Sequence, residues 1–408
     1  MVSIAPAIAS ARRWHVVAAG KAAGPMLGAC VDATAREPAT AMAVAPGGLG
    51  DLRRMIETFA GGHPVPNAAS CAAGRRALDM AADADVEDVL IVLVSGGASA
   101  LLVSPVDGVT LADKQATTQR LLKAGADIYA LNAVRKHLSL VKGGRLAAAC
   151  PGRVLALAIS DVVGDDISVI GSGIAAGDTT TFADALAQLD RCGGRRAYPP
   201  SVVHALREGA AGRRAESPRP GAPALGRSET RMIGSRREAM AGARDEAVRL
   251  GYRVVVMDEP VVGEARVAAR RYAAAMQTIA ATGGLPVCVV SSGETTVHVN
   301  GRGRGGRNQE FALALTPVLP EIDGTVVVAS VGTDGVDGPT DAAGAVVTSQ
   351  TRARAVSAQI DPDACLDDND AYRFFDALGD LIRIGPTRTN VGDLQIALIA
   401  AGEGYSRT

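Results

Sequence analysis

Short apolar runs alternate with amphipathic stretches along most of this chain. Residues 15–19, 89–94, 154–159, 253–257, 287–291 and 325–330 are rich in Val, Ile, Leu and Ala, and each predicts a strand. Several of these runs are continuous rather than alternating, the pattern of strands buried on both faces of a largely parallel sheet. The stretches between them carry apolar residues at helical spacing, so the class read from the pattern is α/β. The periodicity fails at residues 207–227, REGAAGRRAESPRPGAPALGR, where Pro218, Pro220 and Pro223 would interrupt any helix. That segment reads as a surface linker between a first domain, 1–206, and a second, 228–408. The second opens with a strand, helix, strand pattern, and no internal repeat is visible.

Composition narrows the class of partner. The 408 residues exceed one ordinary core, which agrees with two domains. Hydrophobic residues make up 48% and aromatics only 3%, so the core must be built from small aliphatic side chains. With 42 basic against 43 acidic residues, the chain lacks the basic excess of a general nucleic-acid surface, and small-molecule partners are expected. Six scattered cysteines without a Cys-x-x-Cys pair argue for buried thiols rather than a zinc site or disulfide framework. No apolar run is long enough to span a membrane and no secretion signal is read, so the expected location is cytoplasmic.

Several motifs join a strand to a helix through a turn rich in small residues. HVVAAGKAAGPML places Lys21 at such a turn, where a helix N-terminus and an ammonium together suit an anion. The chain has only five lysines, so a lysine kept at this turn stands out. VLIVLVSGGASALL offers Ser95, Gly96, Gly97 and Ser99 for close backbone approach to phosphate, although no Walker lysine follows. In LNAVRKHLSLVKGGRLAAA, Asn132, Arg135 and Lys136 belong to a polar set at helical spacing with no acidic residue interleaved. An anionic substrate would supply the missing charge. VLALAISDVVGDD ends a strand on Asp161, at the edge where α/β ligands collect, while Asp165 or Asp166 suits a helix cap.

Two further segments lie close together in the second domain. GRGRGGRNQEF presents Arg302, Arg304 and Arg307 between glycines, with Gly305, Gly306 and Asn308 leading into a helix, an arrangement suited to a transferring phosphoryl group. GTDGVDGPTDAAGA carries Asp334, Asp337 and Asp341 in a glycine-rich turn after a strand, and the expected ligand is Mg2+ bridged to ATP phosphates, with Asp334 and Asp337 as the metal-binding pair. Thr389 and Asn390 stand ahead of a stretch read as a helix, where they either cap it or contact substrate.

Together these segments resemble the type II glycerate kinases, the glycerate 2-kinase family with a C-terminal MOFRL domain. The resemblance rests on GKAAGPM, GGHPVPN, SGGASALL, NAVRKHLSLVKGGRLA, SDVVGDD, GDTTTF, GEARVAA, SSGETTVHV, GRGGRNQEFALAL, GTDGVDGPTDAAGA, NDAYRFF and GPTRTNVGDL, which occur in the family's order over nearly the whole chain. It implies a Rossmann-like N-terminal domain with a mostly parallel sheet, a C-terminal α/β domain containing the MOFRL region at about 285–400, and an active site in an interdomain cleft. It also implies ATP- and Mg2+-dependent phosphorylation of D-glycerate at its 2-hydroxyl, and it leaves a homodimer open. Lys21 and Arg307 match the lysine and arginine implicated in that family, with Asp161 as a further catalytic candidate and Asn132, Arg135, Lys136 and Asn390 as substrate contacts. The alternatives are an NAD(P)H-dependent hydroxypyruvate reductase and a non-catalytic binder of acidic metabolites. The chain departs from the family pattern at Asn67, Ser292 and Gly392, and residues 172–177 lack the usual prolines, so an altered loop is expected there.

Overall fold

The computed structural model describes residues 4–49 and 55–401, so the expected outer ends of both domains and the segment 50–54 lie outside the described residues. The chain divides into two compact units, one up to Ile233 and one from Gly234.

The first unit is built on six strands: β1 (Trp14–Ala19), β2 (Thr40–Pro46), β3 (Ile56–Gly61), β4 (Val89–Val94), β5 (Arg153–Ile159) and β6 (Ser228–Gly234). Their order across the sheet is β3-β2-β1-β4-β5-β6, with β1 parallel to β2 and β4, and the β2–β3 and β4–β5 pairs also parallel. This is the strand order of the doubly wound dinucleotide-type fold, whose direction of winding reverses between β1 and β4. The continuous apolar runs follow from burial on both faces. Trp14, Val16, Ile91, Leu93, Leu155 and Leu157 pack into one core cluster, and Val17, Leu90, Val92, Val94, Val154 and Ala156 into another.

The strand expected to open the second unit at Ser228 instead forms the sixth strand of the first sheet. The preceding segment, 207–227, is likewise tied to the first unit. Glu216 accepts from the Phe182 amide and meets His137 Nε2 at 3.1 Å, the Asp178 amide donates to the Pro218 carbonyl, and Ser217 is buried. Its prolines prevent a helix, yet its backbone and side chains still find partners on the surface it crosses.

The second unit carries β7 (Arg253–Val256), β8 (Val261–Glu264), β9 (Val287–Thr296), β10 (Thr325–Gly332), β11 (Gly344–Thr348), β12 (Leu381–Ile382) and β13 (Asp393–Ala400). The order is β12-β11-β10-β13-β9-β7, with β8 also on β9. β7 and β8 run parallel to β9, whereas β9, β13, β10, β11 and β12 pair antiparallel in turn, so the sheet is mixed. β10 and β13 alternate buried and half-buried residues, the signature of one fully covered face. Helices Ala265–Ala281 and Arg307–Leu315 contribute to the cluster on that face around Tyr272, Phe311 and Val328. The six cysteines are free and buried, and among the described residues no helix is long and apolar enough to cross a membrane.

Candidate active site

In the first unit the reversal of winding brings the ends of β1 and β4 side by side. The Lys21 amide donates to the Gly96 carbonyl at 2.9 Å, and the Ala22 amide donates to Ser95 Oγ at 3.0 Å. Gly20 has φ +132°, and a side chain there would collide with Ser95, since an added Cβ would lie 2.1 Å from its Oγ. Glycine is therefore required at this position for close approach of the two turns. Lys21 is half-buried at the place where open α/β sheets collect ligands. Ser95 and Gly96 act here as the ties between turns, leaving Gly97 and Ser99 on the second turn. Asp161 follows β5 along the same carboxyl edge and is half-buried.

The ring of His63, after β3, lies against Gly97, where an added methyl group would sit 2.9 Å from its Cδ2. Its loop is pinned by Asn67, which caps helix Ala68–Ala82, and by Gln115, which donates to the Pro66 carbonyl at 2.7 Å. Asn67 accepts from the Ser70 amide in a capping box, a role to which asparagine is well suited. The GGHPVPN motif held this histidine, but sequence reasoning did not single it out.

The expected basic face is largely an internal network. Lys136 is buried and bonds Asp178 at 3.2 Å, so the carboxylate missing from its own helix comes from the GDTTTF segment. Asn132 is buried too, accepting from Ser172 Oγ at 2.9 Å, while Ser172 Oγ also lies 2.8 Å from Ser99 Oγ. The unusual loop at 172–177 is thus anchored through its first residue. Lys136 and Asn132 are thus tied into the scaffold. Arg135 differs: it is half-buried, and burial alone pushes its guanidinium down to about 10. Burial first, and then repulsion among Lys114, Arg135 and Lys142, holds Lys114 at about 7 and Lys142 well below the ordinary lysine range. Lys142 is thereby driven towards its neutral form, and Arg135 is the member of this group that keeps its full charge at neutral pH, where it can meet an anion.

In the second unit the Gly/Arg loop is not an open cradle. The amides of its first part are already used: those of Asn300 and Gly301 donate to Asn369 Oδ1, that of Arg302 to Asp368 Oδ1, and that of Arg304 to Asp370 Oδ1. Arg304 stacks over Tyr372 at 4.5 Å from the ring centre. Helix Arg307–Leu315 finds its anion within the protein. Asp337 accepts from the Asn308 amide at 3.1 Å and the Gln309 amide at 2.9 Å, and an added Cβ at Gly306 would lie 2.3 Å from its Cγ. Gly306 thus makes room for a carboxylate of the chain itself. Burial raises the Asp337 carboxyl to about 6, against the lowering effect of those amides. Asp337, expected as a metal ligand, is the helix cap. Asn308, expected at a phosphate, is buried between Asp337 and Ser330. Gly305 lies on the same occupied loop.

Arg307, at the first turn of that helix, faces two carboxylates that sequence reasoning missed. Its Nε and Nη2 donate to the two oxygens of Asp393 at 2.7 and 2.9 Å, and its Nη1 donates to Glu294 at 2.7 Å. Burial would lower its pKa, but Asp393 and then Glu294 more than reverse this, so it stays charged. Asp334 follows β10 at the same edge, where its Oδ1 accepts from the Val336 amide at 3.1 Å. Asn390 is buried and accepts from the Gly392 amide at 3.2 Å, shaping the turn into β13; the helix expected after it is instead this strand, so Asn390 caps no helix. Among the described residues no group of three or more His, Cys, Asp and Glu side chains could hold a metal ion by itself.

Comparison with known proteins identifies this assembly. Residues 3–207 match the profile of a family described as a domain of unknown function, DUF4147, and residues 287–393 match the MOFRL family. The chain is 36% identical over 394 residues to glycerate 2-kinase of Pyrococcus horikoshii, covering 96% of this chain and 88% of that protein. It is 37% identical to D-glycerate 2-kinase of Thermotoga maritima, covering 95% and 91%. A protein of Agrobacterium vitis with the provisional name hydroxypyruvate reductase is 39% identical, covering 95% and 87%. The crystal structure of glycerate kinase from Thermotoga maritima superimposes with a TM-score of 0.85 at 37% identity over 95% of this chain and 92% of that one. The chain belongs to the glycerate 2-kinase family.

Proposed function

We propose that this chain transfers the terminal phosphoryl group of ATP to the 2-hydroxyl of D-glycerate. The observation that carries this reading is a family match spanning both units, and charged side chains, Lys21 and Arg307, stand at the edges of the two sheets. Phosphoryl transfer proceeds through a loose transition state, so its rate depends on alignment and charge stabilisation rather than on a strong base. In this reading Lys21 and Arg307 stabilise charge on the phosphoryl oxygens. Arg135 receives the glycerate carboxylate through the paired hydrogen bonds that a guanidinium offers. Asp161 orients the 2-hydroxyl and accepts its proton as the new bond forms.

The nucleotide brings Mg2+, which takes its oxygen ligands largely from phosphates and water and needs only one or two protein carboxylates. Asp334, a half-buried hard-oxygen donor, fits that requirement, whereas Asp337 is committed to its helix. When bound, the ion offsets charge on the phosphates.

The dinucleotide-type strand order and the name carried by the Agrobacterium vitis relative favour a hydroxypyruvate reductase. Against it, the first turn reads AAGKAAG, where Lys21 and alanines replace the middle glycine of the dinucleotide fingerprint. Phosphorus NMR of a reaction with ATP, Mg2+ and D-glycerate tests the assignment. The expected product signal is a doublet from coupling to the single C2 proton; a triplet would place the phosphate on the 3-hydroxyl. Oxidation of NADH by hydroxypyruvate with no phosphorylated product would replace the kinase reading by the reductase.

A further inference from the structure

The two carboxylates on Arg307 are held very differently. The Asp393 side chain has no exposed surface and makes a two-point contact with the guanidinium. It opens β13, and the residues opposite it in the neighbouring strands are Gly293 and Gly332, so no side chain stands beside it on that face of the sheet. Moving it away would strand a buried carboxylate. The Glu294 side chain is 42% exposed and makes a single contact, through Nη1. Turned outwards, it would simply be hydrated, so this contact is the one that can be exchanged.

Together they leave a charge problem. One guanidinium between two carboxylates carries a net negative charge locally, which is unfavourable for receiving a polyphosphate. We propose that Asp393 is the positioning residue for Arg307, and that Glu294 occupies the phosphate subsite on Nη1 until the terminal phosphate of a nucleoside triphosphate displaces it. This inference rests on the reading of Arg307 as a phosphate-handling residue and adds which of its partners stays and which leaves. A phosphate can replace the single Glu294 contact with paired ones at the exposed end of the guanidinium, while Asp393 keeps the plane of the group fixed.

The test is calorimetric titration of adenosine 5′-(β,γ-imido)triphosphate with Mg2+ into wild type and Glu294→Gln, alongside steady-state kinetics with ATP and D-glycerate. Removing a competing, half-exposed carboxylate should tighten binding of the analogue by about two- to five-fold, the range of an exposed ion pair. Unchanged or weaker binding would overturn the displacement. So would unchanged affinity accompanied by a hundredfold fall in kcat, which would make Glu294 part of the chemistry. The companion variant Asp393→Asn should lower kcat much more than it raises the KM for ATP, because Arg307 keeps its charge but loses its orientation. Equal kcat in that variant would remove Asp393 from its role. If wild type bound the analogue without turning over D-glycerate, the substrate assignment would fail, while the Glu294→Gln comparison would still decide the inference.

Discussion

The two glycine-rich edges look alike as sequence and serve different ends in the fold. At the first, AAGKAAG and SGGAS meet because parallel strands reverse their winding there, and Gly20 lets the two turns touch. At the second, GRGRGGR and GTDGVDG meet because Asp337 reaches into a helix N-terminus and residues 368–370 take up the loop amides. Glycine permits close approach of backbone to something, and in the second unit that something is the protein itself. The comparison teaches that a glycine-rich loop marks a ligand site only where its amide groups are left to a ligand.

Four substitutions press on this contrast. Lys136→Met should have the largest effect: it leaves the buried Asp178 carboxylate uncompensated, and destabilisation of about 3–5 kcal/mol is expected from denaturant unfolding, typical of a broken buried pair. Preserved stability would contradict a structural role for this pair. Arg307→Ala should raise the barrier to turnover by about 2–4 kcal/mol, the scale of one positioned electrostatic donor, and near-normal turnover would contradict its role.

Asp337→Asn tests the internal cap through pH. The folded-state carboxyl is raised to about 6, so between the ordinary aspartate range and that value the native state binds more protons than the unfolded one. The contribution of Asp337 to stability therefore falls as pH rises through this window, and the asparagine variant should lose that slope. An unaltered slope in urea midpoints at pH 4.5 and 6.5 would contradict the burial account. The smallest effect is expected for Asn67→Asp, within about 0.5 kcal/mol in thermal unfolding, because either residue caps helix Ala68–Ala82.

How much of this was legible follows from what each signal depends on. The six core strands could be read because burial on both faces, or full burial of one, demands uninterrupted Val, Ile and Leu. SETRMIG, which became β6, has no such run and is only half-buried at the sheet edge, so it was assigned to the wrong unit. Lys21 and Asp161 could be placed just beyond strand ends because each directly follows an apolar run. Glu294 and Asp393 were hidden: each is a single carboxylate in an apolar strand, and its meaning depends on a guanidinium from a distant segment. The helix-terminal role of Asp337 was hidden because a carboxylate that accepts from helix amides and one that binds metal have the same glycine-rich surroundings in sequence.

The central claim, phosphoryl transfer from ATP to the 2-hydroxyl of D-glycerate, is tested most directly by a coupled assay read through enolase, first alone and then with phosphoglycerate mutase. The account predicts ADP formation with product consumed by enolase alone. A requirement for mutase, or no ADP at all, would contradict it.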